Sequence, residues 1–377
     1  MLDVLNQMVQ SSGLAHLTVN NLIMICLACF FLYLGIKKEY EPYLMVPIAF
    51  GILLVNLPMA GLMDNPANGN PGGLLYYLYK GTSLGIYPPL IFLCLGASTD
   101  FGPLIANPKT ILLGGAAQVG IFLAFFLAIM LGMTPQEAAS VGIIGGADGP
   151  TAIYVTTKLA PDLLSTIALA AYSYMALVPI IQPFAIKLVT TKKERRIRMT
   201  YKAENVSQMT KILFPIIITL VAGFIAPISL PLVGFLMFGN LLRECGVLDR
   251  LSQTAQNELV NIISILLGLT ISIKMQADLF LNVQTLLIIV FGLLAFIMDS
   301  IGGVMFAKFL NLFRKEKINP MIGAAGISAF PMSSRVIQKM ATDEDPQNFI
   351  LMYAVGANVS GQIASVIAGG LLLAYFS

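Results

Sequence analysis

The stretch VGIIGGADGPTAIYV, residues 141–155, places a single carboxylate, Asp148, between glycines and a proline inside an apolar run. The chain has 377 residues, of which 57% are hydrophobic and only 11% are charged. Soluble domains carry about 25% charged residues, so this composition is typical of a polytopic membrane protein. A carboxylate inside a membrane segment is costly, and its presence indicates a compensating partner. We predict that this partner is a cation.

The glycines and the proline explain why this stretch suits a cation. Both residue types interrupt a helix and release backbone carbonyls from its hydrogen bonds. Such backbone is tolerated at membrane depth only where it is buried in protein or lines a cavity. Released carbonyls and oxygen-bearing side chains are ligands that a hard cation prefers. Asp148 would hold Na+ or, in its place, a proton; the alternative is a structural carboxylate paired with a nearby lysine.

The rest of the composition argues against several function classes. The net charge of +3 is too small and too localised to indicate nucleic-acid binding. His16 is the only histidine, which argues against a histidine-based metal site or histidine catalysis. Cys26 and Cys29 form a C-x-x-C motif within an apolar span, where two small helical residues are the simpler interpretation. The composition therefore predicts that the protein is embedded in a lipid bilayer.

The apolar runs predict an all-α polytopic membrane protein, because a spanning helix needs about 20 mostly apolar residues. About ten membrane helices are expected, at residues 19–36, 43–62, 84–98, 110–133, 163–187, 212–227, 229–242, 257–274, 284–312 and 347–376. Two further runs, 136–160 and 321–341, are interrupted at their centres by glycine, proline and polar residues. We interpret these two runs as broken, re-entrant segments.

Basic residues predict which face of the membrane each connection lies on. The cationic connections are residues 36–40, 187–202, 243–250 and 313–317. The positive-inside rule places them in the cytoplasm, whereas the loop 64–73, which has no lysine or arginine, is expected outside. The only long polar stretch, 189–211, is predicted to be a cytoplasmic basic linker between two membrane halves, 1–188 and 212–377.

The two halves are predicted to form an inverted-topology repeat. The sidedness of the charged loops and the number of membrane crossings between them predict the side from which each broken segment enters. Segment 136–160 enters from outside and segment 321–341 from the cytoplasm, as such a repeat requires. The stretches GGADGPTAIYVTTKLA and GISAFPMSSRVIQKMA also align at a constant offset of 181 residues. The identities pair Gly145 with Gly326, Pro150 with Pro331, Val155 with Val336, Lys158 with Lys339, and Ala160 with Ala341.

Neutral oxygens near the second broken segment are candidate cation ligands. Asn319, Gly323 and Ser328 lie in or just before it, and Asn358 lies in VGANVSGQIAS with Ser360 and Ser365 nearby. Hydrogen bonding between helices is the alternative role for these side chains, since it is common in membranes. Their placement within the repeat favours the role of ligands.

The sequence leaves the roles of three further polar residues open. Tyr174 lies mid-helix and either donates to Asp148 and carries a proton, or packs in the bundle with its hydroxyl satisfied. Arg335 either binds a carboxylate in a bidentate pair or extends to the cytoplasmic headgroups. Asp299 is another intramembrane acid, to which the sequence assigns no role.

Three motifs resemble those of a known family. GIIGGADGPTAIY (142–154), INPMIGAAGISAFPMSSR (318–335) and GANVSGQIAS (356–365) are similar to motifs of the β subunits of sodium-pumping biotin-dependent decarboxylases. That family includes the oxaloacetate, glutaconyl-CoA, methylmalonyl-CoA and malonate systems. The resemblance covers most of the chain. This sequence is shorter before its first motif than the oxaloacetate members and looks more like the acyl-CoA members.

The resemblance implies a function and a set of roles. It implies a multi-pass protein of the bacterial cytoplasmic membrane that decarboxylates carboxybiotin, consumes a proton and exports Na+. It implies Na+ binding by Asp148, Asn319 and Asn358, with Ser328 as a further candidate. Carboxybiotin binding or proton transfer is implied for Arg335, Ser328 and Tyr174, which with Asp148 form the candidate catalytic set. The implied partners in an oligomeric complex are a biotin carrier subunit, a carboxyltransferase α subunit and a small membrane subunit.

Two other function classes remain open on the residues alone. An ion-coupled secondary transporter of an organic solute shares the broken segments and the repeat but has no need of biotin. A passive membrane scaffold is the third class, and it predicts that Asp148→Asn changes nothing. The acid in the middle of a membrane segment argues against the scaffold.

Overall fold

A computed structural model describes residues 12–39, 41–66, 71–199, 206–276 and 283–377. Over these ranges the chain forms helices and no strands, which confirms the predicted all-α class. Parts of the predicted outer loop 64–73 and of the predicted linker 189–211 lie outside the described residues.

The helices fall into two series of similar order along the chain. The first series is α1 Val19–Lys37, α2 Pro42–Val55, α3 Leu74–Ser83, α4 Tyr87–Ser98, α5 Thr110–Ala116, α6 Val119–Met130, α7 Pro135–Gly142, α8 Gly149–Leu159 and α9 Leu164–Val189. The second series is α10 Gln208–Ile225, α11 Leu230–Glu244, α12 Val260–Ile271, α13 Val283–Phe313, α14 Met321–Ala324, α15 Met332–Glu344 and α16 Leu351–Phe376. Short helices Gly102–Ala106, Lys192–Arg195 and Asp249–Thr254 lie between them.

The number of spans differs from the prediction. In the described part of the chain six helices are long and apolar enough to cross a membrane, or eight if each of two bent pairs forms one span. The expected number of about ten is therefore not confirmed. Helices α2 and α11 have only 14 and 15 residues, about 21 to 23 Å, whereas the hydrocarbon core is about 30 Å thick. The prediction exceeds this number of spans because an apolar run can continue beyond the residue at which its helix ends.

Helix α3 was not predicted, and it forms one of the bent pairs. It meets α4 at an angle of 65°. The turn between them contains Gly85 at φ +74°, a conformation that a residue without a side chain adopts at little cost. The predicted span 84–98 is therefore the second arm of a longer, bent helical unit.

Both interrupted runs are broken helices, as predicted. In the first, α7 is followed by a 3₁₀ turn over Ile143–Gly146, and Ala147 adopts a left-handed conformation with φ +53° before α8 begins. In the second, α14 ends at Ala324 and α15 begins only at Met332. Pro150 lies in the first turn of α8, where its missing N–H costs no hydrogen bond.

The packing of the helices repeats between the two series. α1 packs on α2 as α10 packs on α11, and α4 packs on α11 as α12 packs on α2. Likewise α9 packs on α13 as α16 packs on α5, and α8 packs on α9 as α15 packs on α16. Each broken segment also packs on the long helix of the other series, α8 on α16 and α15 on α9. This two-fold pattern is what an inverted repeat requires; the exact domain limits 1–188 and 212–377 stay predictions.

Candidate functional site

Asp148 lies at the break of the first segment, where it caps α8. Its Oδ1 accepts the backbone N–H of Thr151 at 3.2 Å, and its Oδ2 accepts the Thr151 hydroxyl at 2.6 Å. Ser365, on α16, donates its hydroxyl to the same Oδ2 at 2.8 Å. The side chain is only 5% exposed. No lysine or arginine among the described residues pairs with it, so the structural ion pair considered above is not observed.

Ser328 joins the two broken segments at this point. Its backbone N–H donates to the carbonyl of Gly146 at 2.9 Å, and its side chain lies near Asp148. A backbone hydrogen bond therefore joins the second segment to the first, two residues before the carboxylate. Ser328 is 5% exposed, so this junction is screened from solvent.

Asn358 lies beside the break of the second segment. Its Nδ2 donates to the carbonyls of Ala325 at 3.1 Å and Ile327 at 2.7 Å. Its Oδ1 is buried and has no hydrogen-bond partner among the described residues. The carbonyls of Ala325 and Ile327 at this break therefore each accept an amide donor. The oxygen left available belongs to the asparagine side chain.

Asn319 lies just before the start of the second segment, in contact with the linker. Its Nδ2 donates to the carbonyls of Arg195 at 2.8 Å and Ile197 at 3.0 Å, and its Oδ1 accepts the N–H of Met321 at 3.1 Å. The amide is therefore fully engaged in holding the linker and the start of α14. Gly323, in α14, packs closely against the backbone of Gly303 in α13.

The tyrosines of α9 divide between two environments. The hydroxyl of Tyr174 donates to the carbonyl of Ile289, and no hydrogen bond joins it to Asp148. Tyr172 instead lies against Gly149, next to Asp148, and its buried hydroxyl has no partner among the described residues. Tyr172 is a functional candidate that no sequence motif indicates. Two tyrosines separated by one residue lie on nearly opposite sides of a helix, so Tyr172 faces the break while Tyr174 does not.

Arg335 lies on an exposed face of α15 that also carries Lys339 and Asp343. Within the described ranges no carboxylate is within ion-pair distance of its guanidinium. The guanidinium is therefore available to an incoming anion. Its planar group of N–H donors suits a carboxylate.

Asp299 takes part in the packing of α13 against α6. It is fully buried, and one oxygen accepts the backbone N–H of Gly120 at the start of α6. A carboxylate at a helix N-terminus satisfies free N–H groups and is stabilised by the helix dipole. This is a positioning role that no sequence motif indicates, because the two residues are distant in the chain.

The residues on the linker side form a group of ion pairs. Arg195 pairs with Glu344 at 2.7 Å, Arg198 with Asp345 at 2.6 Å, and Lys308 with Glu194 at 2.9 Å. Hydrogen bonding and charge from Arg195 lower the pKa of Glu344, and Arg198 does the same for the pKa of Asp345. The first two contacts attach the linker to the end of α15, and the third attaches it to α13.

A cavity of about 690 Å³ opens beside this linker. Lys109, Arg198, Arg314 and Lys317 line it, with Glu316 as the one acid among its lining residues. Its lining also includes Ile322 of α14, one helical turn before Gly326 at the second break. An anion would therefore meet a basic entrance close to the broken segment.

Comparison with known proteins places the chain in a family. Residues 20–376 match the family described as the Na+-transporting oxaloacetate decarboxylase beta subunit. A methylmalonyl-CoA decarboxylase subunit beta of Propionigenium modestum is 53% identical, over 100% of both chains. A glutaconyl-CoA decarboxylase subunit beta of Acidaminococcus fermentans is 48% identical, over 98% of this chain and 97% of that one. An oxaloacetate decarboxylase beta chain of Klebsiella pneumoniae is 45% identical, over 99% of each.

These matches confirm the resemblance on which the sequence analysis relied, and they extend it over nearly the whole chain. They agree with the apolar helices in indicating a multi-pass bacterial membrane protein. The chain therefore belongs to the family of Na+-transporting oxaloacetate decarboxylase β subunits, the membrane components of Na+-transporting decarboxylases.

Proposed function

We propose that this chain decarboxylates carboxybiotin and couples the release of CO2 to Na+ export, as the β subunit of a primary sodium pump. The observation that carries the proposal is Asp148. It is a buried carboxylate at the junction of two broken helices, it is surrounded by hydroxyl groups, and no described basic side chain neutralises it. Such a charge in a membrane protein is costly unless a mobile cation or a proton balances it.

The hydroxyls around Asp148 suit both of these partners. Ser365 Oγ lies 2.8 Å from Asp148 Oδ2 and 3.0 Å from the carbonyl oxygen of Gln362. Its one proton can point to either acceptor. When the hydroxyl proton of Ser365 points to the carbonyl of Gln362, a lone pair of the Ser365 oxygen faces the ion. Na+ and a proton thus compete for the same carboxylate, and arrival of the proton releases Na+.

The ligand set for Na+ that we propose contains Asp148, Asn358 and Ser328, and Asn319 acts on this site indirectly. Asn358 offers an unpaired buried oxygen, and Ser328 lies near the carboxylate. Asn319 contributes differently, because its amide holds the linker carbonyls. A substitution at Asn319 would therefore loosen the linker that covers the cytoplasmic end of the second segment.

Carboxybiotin is proposed to enter from the cytoplasm and to place its carboxylate against Arg335. The exposed guanidinium and the basic cavity beside the linker support this direction of entry. Loss of CO2 is faster when the carboxylate leaves water and a proton reaches the departing nitrogen. That proton comes through Asp148, with Ser328 as the proposed carrier, whereas the hydroxyl of Tyr174 donates to the carbonyl of Ile289. The two halves of the repeat supply access alternately from each side.

The proposed partners are a biotin carrier subunit that delivers carboxybiotin, a carboxyltransferase α subunit and a small membrane subunit. The relatives are named for three different acids although their β chains are similar, so the parent acid is set by another subunit. Identity to the two methylmalonyl-CoA relatives is 53% and 50%, against 45% to the oxaloacetate chain of Klebsiella pneumoniae. We propose an acyl-CoA as the parent substrate.

The test uses the purified chain with a biotin carrier subunit charged with carboxybiotin. CO2 release is followed with and without Na+, for the wild type and for Asp148→Asn. The proposal expects release that Na+ stimulates and that the substitution abolishes. No release under any condition would overturn it. Solute uptake that follows an ion gradient in vesicles would then identify the secondary transporter.

A further inference from the structure

Gln118 lies between α5 and α6, in a helix interruption outside the three motifs. Its side chain is 4% exposed. The Nε2 group donates to the carbonyl of Gly114 at 3.1 Å and to the carbonyl of Gly326 at 3.2 Å. These two donors fix the orientation of the amide. Its Oε1 is buried and has no hydrogen-bond partner among the described residues.

The unpaired oxygen of Gln118 lies next to the Asp148 cluster. A Cβ atom placed on Gly146 would be 3.2 Å from Gln118 Oε1 and 3.3 Å from the Cβ of Ser365. Gly146 precedes Asp148 by two residues, and Ser365 donates its hydroxyl to that carboxylate. Gln118 and Ser365 therefore face the first break from two different helices.

No donor among the described residues satisfies this oxygen. An unpaired buried amide oxygen costs about 1–3 kcal/mol. Turning the amide over would place its oxygen against two carbonyls, so the amide cannot remove that cost by rotation. A cation held between Gln118 Oε1 and Asp148 removes it, because neutral amide oxygens are ligands of hard cations.

We infer that Gln118 Oε1 is a direct ligand of the Na+ that Asp148 binds, which rests on the proposed function. The ligand comes from outside both broken segments, and its two N–H donors position it. Asp299 supports this placement. It accepts the N–H of Gly120, two residues after Gln118, and so holds the start of α6.

The test measures Na+ binding by calorimetry on the purified full chain at pH 6, without decarboxylation. Gln118→Met has a similar volume and no oxygen, and we expect it to weaken Na+ binding about tenfold. Gln118→Glu keeps an oxygen and, when protonated, one donor. We expect Na+ affinity within about threefold of wild type for Gln118→Glu, with a new dependence on pH.

Gln182→Met is the matched control. Gln182 is also a buried amide whose Nε2 donates to the second segment, at the carbonyl of Ala324 and the hydroxyl of Ser333. We expect its Na+ affinity to stay within about twofold of wild type, since both amides are structural donors and only Gln118 is proposed as a ligand.

Three outcomes would overturn the inference: wild-type affinity in Gln118→Met, equal weakening in Gln118→Met and Gln118→Glu, or equal weakening in Gln182→Met. If Gln118→Met does not fold, the Na+ affinity of Gln118→Glu is the test. The inference is contradicted if Gln118→Glu binds Na+ with the same pH dependence as the wild type. A wild type that does not bind Na+ contradicts the proposed function and the inference together, so the two failures are distinguishable.

Discussion

The two broken segments are equivalent in the repeat, yet they have different surroundings. In the first, α8 is buried along its whole length except at Lys158. In the second, α15 exposes Arg335, Lys339 and Asp343 along one face. Equivalent segments of an inverted repeat face opposite sides of the membrane. The structure is therefore closed around the first segment and open beside the second.

The segments also differ in charge at equivalent positions. The residue 181 positions after Asp148 is Ala329, so only the first segment has a carboxylate at this position of its break. The same offset relates Gln118 to Asp299, an amide beside the carboxylate cluster and an acid that holds a helix start. In the proposed function the first half holds the ion, and the second presents the exposed face of α15 that carries Arg335 and Lys339.

The largest expected effect comes from removing the charge of Asp148. Asp148→Asn should reduce Na+-dependent decarboxylation about 100-fold or more, because the cation loses its counter-charge. The measurement is CO2 release against Na+ concentration. Asp343→Asn, on the exposed face of α15, is the matched control and should retain nearly full activity. Equal losses in both variants would contradict the division of roles between the segments.

Arg335 tests the opposite side of the comparison. Arg335→Ala should lower kcat/KM for carboxybiotin about tenfold or more, since a charge-assisted pair to the carboxylate is lost. Na+ binding should be unchanged. Lys339→Ala, one turn further along the same face, should have a much smaller effect. If Na+ affinity fell together with kcat/KM, the second segment would belong to the ion site.

The ion pairs that attach the linker to α15 should contribute a smaller, pH-dependent stability. Arg195 lowers the pKa of Glu344, so the stabilisation is complete above the unfolded pKa of about 4.3 and is lost as pH falls through the lower folded value. Glu344→Gln should cost at most about 1 kcal/mol near neutral pH, because the pair is partly solvated.

Thermal unfolding at pH 7 and at pH 3.5 measures this contribution. The difference in Tm between wild type and Glu344→Gln should shrink at the lower pH. Asp343→Asn, for which the described residues offer no ion pair, should show no such change. A difference that persisted at low pH would mean that Glu344 stabilises α15 by some means other than its charge.

The two tyrosines of α9 should give the smallest effects and differ from each other. Tyr174→Phe removes a donor from the carbonyl of Ile289 and should cost about 1 kcal/mol of stability. Tyr172→Phe should be nearly neutral, because its hydroxyl has no partner among the described residues. Thermal unfolding of both variants checks this order, and the reverse order would place the structural hydrogen bond on Tyr172.

Much of the architecture could be predicted from local patterns. Apolar runs predicted an all-α membrane protein, and the glycines and the proline at residues 145–150 predicted a break that the structure contains. The same reasoning overestimated the number of spans, because the apolar run 43–62 continues beyond the end of α2 at Val55. Asn56 ends that helix by donating to the carbonyls of Ile52 and Met275, the second of which is distant in the chain.

By itself the sequence determined the helical class, the two breaks, and the isolated carboxylate of Asp148, since each depends on residue types within one short stretch. Only the tertiary structure decided which groups meet that carboxylate. Ser365 donates to it from α16 and Gln118 lies beside the same break, whereas Asn319 is engaged with the linker and Tyr174 with Ile289. The physical reason is that a break sets where backbone is released, while the rotation and packing of distant helices set which side chains face it.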